Sequence, residues 1–313
     1  MKTVTVICPA YNEEDVIGAF YRELKAVLSG LSASYESTII FVVDGAEDST
    51  LDILKRIAES DASTQILSFS KNFGHQMALL AGIDHAHSDA VIMMDTDLQH
   101  PPSLLPALLR KFEEGYEVVY TIREDTSEIP WFKRASAKLF YRMLNLITQV
   151  PITENAADFR LISRRVATVF RNHIRERNQF MRGLFAWVGF RSAGVPFTVG
   201  KRGGGRSKYS LLSMVRFGIN GLVAFSKRPL LAAAVLGFAL AAFGFCFAAV
   251  TVIQYLFYST LPSGWATLVS LLTIFSGTQL IFLGILGLYI GAIFDEVKGR
   301  PHYIIEEKIN CGT

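Results

Sequence analysis

The stretch Val91-Ile92-Met93-Met94-Asp95-Thr96-Asp97-Leu98-Gln99-His100-Pro101-Pro102 decides how this chain is read. An apolar run gives way to two carboxylates at i and i+2, and a pair of prolines then stops the element. Residues two apart in a strand point to the same face, so Asp95 and Asp97 project together from its end. Two neighbouring carboxylates repel, and each has its pKa raised unless a cation lies between them. A hard divalent ion, Mg²⁺ or Mn²⁺, that bridges the carboxylates and a substrate's phosphates resolves that conflict. A polar turn after a buried strand carries the same residues. The flanking sequence has to decide between the two.

Upstream, apolar runs alternate with helical periodicity. Val4 to Cys8 reads as a buried strand, followed by Pro9-Ala10-Tyr11-Asn12-Glu13-Glu14 and a helix over about Asp15 to Leu28. Ser37 to Val43 is a second strand, ending in Asp44-Gly45-Ala46-Glu47-Asp48, with a helix from about Ser49 to Ser60 that Ser49 or Asp48 can cap. Gln65 to Phe69 is a third strand, a helix opens at Asn72-Phe73-Gly74-His75, and Ala90 to Met94 is the fourth strand. Four such alternations predict an α/β fold with a mostly parallel sheet covered on both faces. In such sheets the loops at the carboxyl ends of the strands form the binding crevice. Here those ends are Pro9 to Glu14, Asp44 to Thr50, Lys71 to His75 and Asp95 to Pro102, and polar or acidic residues collect at every one. Four converging polar ends point to a nucleotide pocket.

Downstream, a helix over Leu104 to Glu114 precedes a strand over Tyr116 to Thr121, with Arg123 just beyond it. Trp131 to Ile147 is basic and amphipathic, Asn155 to Leu161 sets Asp158 beside Phe159 and Arg160, and Gln179 to Leu184 begins an apolar segment. Lys201 to Tyr209 is a Gly-rich loop whose Arg202, Arg206 and Lys208 suit an anion; its glycines let backbone N–H groups approach phosphate.

Half of the 313 residues are hydrophobic, mean hydropathy is +0.31, and the excess collects in the last third. Leu230 to Tyr258 and Ala266 to Phe294 are uncharged apolar runs longer than the ~20 residues a membrane span needs. Before them, Ser213 to Phe225 carries an apolar stripe of the kind that lies along a membrane surface. Lys227, Arg228, Lys298 and Arg300 flank the runs, while the Ser259–Gly264 connection is uncharged. The positive-inside rule then puts both ends in the cytoplasm and the short loop outside. The expected organisation is a cytoplasmic domain over 1–210, an interfacial helix over 211–228, a transmembrane hairpin over 229–294 and a cytoplasmic tail over 295–313. The spans hold no ionisable residue, which disfavours a transporter or channel. A net charge of +3 gives no nucleic-acid signature, and Cys8, Cys246 and Cys311 have no metal-ligand spacing. Gly237, Gly244, Gly284, Gly287 and Gly291 could pack the hairpin against a second copy in a homo-oligomer.

Laid end to end, these motifs resemble a family 2 glycosyltransferase with a GT-A-type domain, and within it the polyisoprenyl-phosphate glycosyltransferases, including bactoprenol glucosyltransferase and dolichol-phosphate mannose synthase-like enzymes. The resemblance rests on Pro9-Ala10-Tyr11-Asn12-Glu13, Asp44-Gly45 with Asp48, Asn72-Phe73-Gly74, Asp95 to Pro102, Asn155 to Arg160, Arg182-Gly183-Leu184 and Arg206-Ser207-Lys208-Tyr209. It implies inverting transfer of a hexose from a nucleotide diphosphate sugar to undecaprenyl phosphate, with glucose from UDP-glucose ahead of formylated aminoarabinose, mannose and galactose. By resemblance Pro9, Tyr11, Glu13 and Asp44 hold base and ribose, and Gln99 touches the sugar or fixes the turn. Asp95 and Asp97 meet ribose, metal and diphosphate, with Asp97 the direct ligand of Mg²⁺ or Mn²⁺. Asp158 takes a catalytic part, a salt bridge with Arg160 being the alternative, and Arg123, Arg202, Arg206 and Lys208 receive the acceptor phosphate. One departure stands out. The family usually has two acids before Gly45, and here the first is Val43. A processive synthase would show a Trp after Arg182 and more spans; a membrane scaffold or flippase partner would not need the carboxylate pair.

Overall fold

The computed structural model describes residues 1–124, 156–177, 179–198, 226–258 and 264–311. The alternation read upstream of Asp95 is realised as β1 (Lys2–Ala10), α1 (Ile17–Gly30), β2 (Tyr35–Val43), α2 (Thr50–Ser60), β3 (Thr64–Phe69), α3 (His75–His85) and β4 (Ala90–Met93). β1 pairs in parallel with β2 and β4, and β2 with β3. All four carboxyl ends therefore lie on one edge, and the order reverses between β1 and β4, where ligands bind in open α/β sheets.

Beyond a short 3₁₀ turn come α4 (Leu105–Glu113), β5 (Val118–Glu124), β6 (Ala156–Ser163), α5 (Arg164–His173), α6 (Met181–Trp187) and β7 (Ser192–Thr198). β6 is antiparallel to both β4 and β5, while β7 is parallel to β5. The expected mostly parallel sheet is thus joined by an antiparallel strand. Polar–apolar mixing in Ala156–Arg160 hid β6, because its half-buried Asp158 and buried Arg160 are charges that pattern reading counts as loop. Arg123 also moves: it lies inside β5, opposite Phe197, rather than beyond the strand.

The sheet separates two apolar layers. On one side Ile17, Phe20 and Leu24 of α1, Leu54 of α2 and Leu105 and Leu108 of α4 pack on Val4, Val6, Ile39 and Phe41. On the other, Leu80 and Ile83 of α3, Phe170 of α5 and Leu184 of α6 cover Ile7, Ile40, Val91 and Met93. Alternate residues of each strand serve opposite layers, so both faces are dry and the strands read as continuous apolar runs. Each fully buried large side chain contributes about 1.5–3 kcal/mol. Val43, in the place of the acid expected by resemblance, is 1% exposed and belongs to the α1 layer. At the start of α2 it is Asp48 that caps, accepting the N–H of Thr50 at 3.0 Å, and not the Ser49 side chain.

α7 (Arg228–Tyr258) and α8 (Trp265–Val297) are two helices long and apolar enough to cross a membrane. Gly237 and Gly244 face Phe282 and Phe275 of α8 across the hairpin, so they serve packing within the chain; Gly284, Gly287 and Gly291 face open space. The region expected to be a tail behaves differently. Residues Ile305–Ile309 form β8, which joins β3 as an antiparallel edge strand of the same sheet. The basic stretch 131–147, the loop with Arg202, Arg206 and Lys208, and the interfacial segment before Ser226 lie outside the described residues.

Candidate active site

The switch point between β1 and β4 gathers the charged residues. Thr96 turns inward and donates its hydroxyl to the carbonyl of Pro9 at 3.1 Å, which ties the end of β4 to the end of β1. Asp95 and Asp97 are thereby left on the outer side. Asp97 accepts the N–H of Gln99 through Oδ1 at 3.1 Å, an Asx turn that accommodates the positive φ of 60° at Leu98. Its Oδ2 has no hydrogen-bond partner among the described residues.

Asp95 stands between two imidazoles: Nε2 of His75 is 3.5 Å from Oδ1 and Nδ1 of His100 is 3.5 Å from Oδ2. Both distances exceed a normal hydrogen bond, and Nδ1 of His100 is buried without a hydrogen-bond partner. The His100 ring is held between Phe159 and Phe197, at 5.4 and 5.7 Å between centroids. Burial pushes the Asp95 carboxyl above its usual range, His75 and His100 oppose the shift, and Asp158 and Asp97 add to it.

Asp158 enters from β6. Met93 pairs with Arg160, so continuing the antiparallel register two residues sets Asp158 opposite Asp95. Its carboxylate accepts two parallel bonds from Arg182, Nε to Oδ1 and Nη2 to Oδ2, each 2.8 Å. Arg160, the partner considered from sequence, is farther at 3.8 Å; it donates to the Ala157 carbonyl and sits 4.6 Å above the Phe185 ring. Burial alone would raise the Asp158 pKa, but Arg182, then Arg160 and His75, hold it well below the carboxylate range.

The loops around β1 and β2 are locked together. Asp44 is 3% exposed and accepts the N–H groups of Phe73 and Gly74 at 2.7 and 2.9 Å. Burial raises its pKa against those two bonds. Asn12 accepts the N–H of Glu47, Glu13 donates its N–H to Thr50, and Tyr11 is 36% exposed beside them. Pro9 is buried at the end of β1. Arg123 is exposed on β5, near the amino end of β6 and on the same edge as these loops. The fold thus brings Asp95, Asp97 and Asp158 together, ranges Pro9, Tyr11, Glu13, Asp44 and Gln99 along the same edge, and adds His75 and Arg182. His75 was legible only as the residue after Asn72-Phe73-Gly74; no pattern in the chain marks it as facing Asp95.

Two adjacent carboxylates, one with a spare oxygen, fit a divalent ion that completes its shell with phosphate and water. Among the described residues no group of three or more His, Cys, Asp or Glu side chains could hold an ion.

The family model for glycosyl transferase family 2 matches residues 5–170. The uncharacterized glycosyltransferase YkcC of Bacillus subtilis (strain 168) is 38% identical over 97% of this chain and 93% of its own length. The SfII prophage-derived bactoprenol glucosyl transferase of Shigella flexneri is 37% identical over 97% of both. Among solved structures, mannosyl-3-phosphoglycerate synthase from Rubrobacter xylanophilus has a TM-score of 0.48 at 18% identity, covering 70% of this chain and 71% of that one. The chain belongs to glycosyl transferase family 2 and is a glycosyltransferase whose α/β domain is followed by two long apolar helices.

Proposed function

We propose that the protein transfers a hexose, glucose from UDP-glucose first among the candidates, to undecaprenyl phosphate at the cytoplasmic face of a membrane, with inversion at the anomeric carbon. The observation that carries this reading is the carboxylate group Asp95, Asp97 and Asp158 at the switch point of a chain whose last third holds an apolar hairpin. Similarity to a bactoprenol glucosyl transferase over nearly the whole length supports the lipid acceptor.

In this reading Pro9, Tyr11 and Glu13 border the base and ribose, and Asp44 shapes that side through the loop its carboxylate anchors. Asp97 and Asp95 would hold Mg²⁺ or Mn²⁺, which supplies compensation for charge on the leaving diphosphate. Gln99 fixes the turn that presents Asp97. Asp158, kept ionised by Arg182, orients sugar hydroxyls or the incoming phosphate. A polyprenyl phosphate is already an anion at neutral pH, so the site has to orient and screen it more than deprotonate it. Arg123, Arg202, Arg206 and Lys208 are the cations assigned to that task. The hairpin spans the membrane with the catalytic domain and both termini in the cytoplasm.

The test is a screen of UDP-glucose, UDP-galactose, a UDP-linked formylated aminoarabinose and GDP-mannose against undecaprenyl phosphate, read by mass spectrometry of the lipid. Glucosyl lipid with the opposite anomeric configuration by NMR is the expected result. Product from another donor only would reassign the sugar, and no lipid product from any donor would overturn the acceptor.

A further inference from the structure

The chain after the hairpin returns to the catalytic sheet along β3, and it meets the end of that strand next to the loop that precedes His75. Residues Lys71 to Gly74 are gripped from one side by Asp44, whose two oxygens hold the N–H groups of Phe73 and Gly74. Gly45 lies so close that a Cβ there would collide with the backbone of Lys71 and Asn72. Just before this stretch, Phe69 and Ser70 are held by residues from after the apolar helices. The N–H of Ser70 donates to the Ile304 carbonyl at 3.1 Å. The Tyr303 ring stacks on Phe69 at 5.2 Å, and Phe69 meets Phe73 edge-on at 5.7 Å.

Tyr303 is itself anchored. Its hydroxyl donates to Asp84 at 2.6 Å, and Asp84 also takes Arg175 through both oxygens, at 2.7 and 3.0 Å. Two residues on, Arg177 donates its N–H to Glu296 at the end of α8 and its guanidinium to the Pro301 carbonyl, both at 2.8 Å. Contacts and short lengths of chain therefore link the end of α8 through Arg177, Arg175, Asp84, Tyr303 and Phe69 to Phe73, two residues before His75, whose Nε2 is 3.5 Å from Asp95. A strand that only covered the β3 edge would require the β8 ladder, not a ring stacked on Phe69 where β3 runs into the loop.

We infer that Tyr303 is a positioning residue for the donor side of the active site, setting loop Ser70–Gly74, and with it His75, from the far end of the membrane hairpin. The assignment of this side to the donor rests on the function proposed above. The experiment uses the full-length protein in detergent and compares Tyr303→Ala, Tyr303→Phe and, as a variant that loosens β8 elsewhere, Asn310→Ala, which loses bonds to Ala58 and Thr64. Hydrogen–deuterium exchange at the Phe73 and Gly74 amides should rise about tenfold or more in Tyr303→Ala and not at β1. Tyr303→Phe, which keeps the ring, should rescue most of that protection. Asn310→Ala should leave those amides unchanged. In turnover with UDP-glucose and undecaprenyl phosphate, Tyr303→Ala should raise the donor KM by about fivefold with little change in the acceptor KM. Unchanged exchange at Phe73 and Gly74, or equal loosening of β1, would overturn the inference. So would equal effects of Tyr303→Ala and Asn310→Ala. Exchange needs no turnover, so a wild-type protein inactive with every donor would sink the proposed reaction while leaving this inference to be decided by the amides.

Discussion

At Asp97 one carboxylate oxygen is spent on the Gln99 N–H and the other is left for a ligand, so shape and charge can be separated by a single substitution. Asp97→Asn keeps an oxygen for the turn and removes the charge. Transfer should fall by about 100-fold or more, the scale of losing one preorganised electrostatic contact, while the melting temperature in detergent moves little. Full activity of the wild type in EDTA would remove the metal from the proposal. The pair itself was legible in the sequence, because strand alternation sends i and i+2 to one face. Its neighbours were not. Asp158 was visible as an acid beside Arg160, yet its bidentate partner is Arg182, which no spacing relates to it. Val43 shows the converse: an apolar residue at a motif position reads as a lost ligand until its place in the α1 layer is seen.

At the scale of elements, ionised carboxylates staple the ends of helices and strands. Asp61, after α2, would have its pKa raised by burial, but hydrogen bonds from Lys25, Ser63 and Tyr21 hold it well below the usual range. Asp158 is held low in the same way between β6 and α6. A depressed folded pKa means the unfolded chain takes up the proton first. The stabilisation is therefore complete above about pH 4, the unfolded Asp value, and is lost as pH falls below it. Melting temperature followed from pH 6 to pH 3 should drop steeply at the acid end, and Lys25→Met should flatten that slope. The Lys25 contribution is about 1 kcal/mol, since its side chain is a third exposed and the pair is screened. A slope unchanged in Lys25→Met would mean Asp61 does not carry it. The parallel βα units were legible because each is an apolar run followed by helical periodicity. β6 and β8 were not: one carries buried charges, and the other, Ile-Glu-Glu-Lys-Ile, is apolar only at its ends.

For the whole molecule, β8 imposes a constraint on topology. It pairs with β3, so the chain on the far side of α8 has to lie on the same side of a bilayer as the catalytic sheet. An even number of crossings satisfies that, as one crossing by each of the two long apolar helices would. With the proposed cytoplasmic placement, a fluorescent protein fused after Thr313 should be bright in cells and an alkaline phosphatase reporter placed within Ser259–Gly264 should be active; a dark C-terminal fusion would contradict that placement. The sequence by itself determined the alternating α/β order, the carboxylate pair at the end of β4 and the two long apolar helices, because hydrophobic period and strand alternation are local properties. Only the tertiary structure decided that Asp158 faces Asp95, that His75 and His100 bracket it, and that residues after the hairpin complete the sheet. Those pairings join residues far apart in the chain, and register and layer packing bring them together where no local period can announce them.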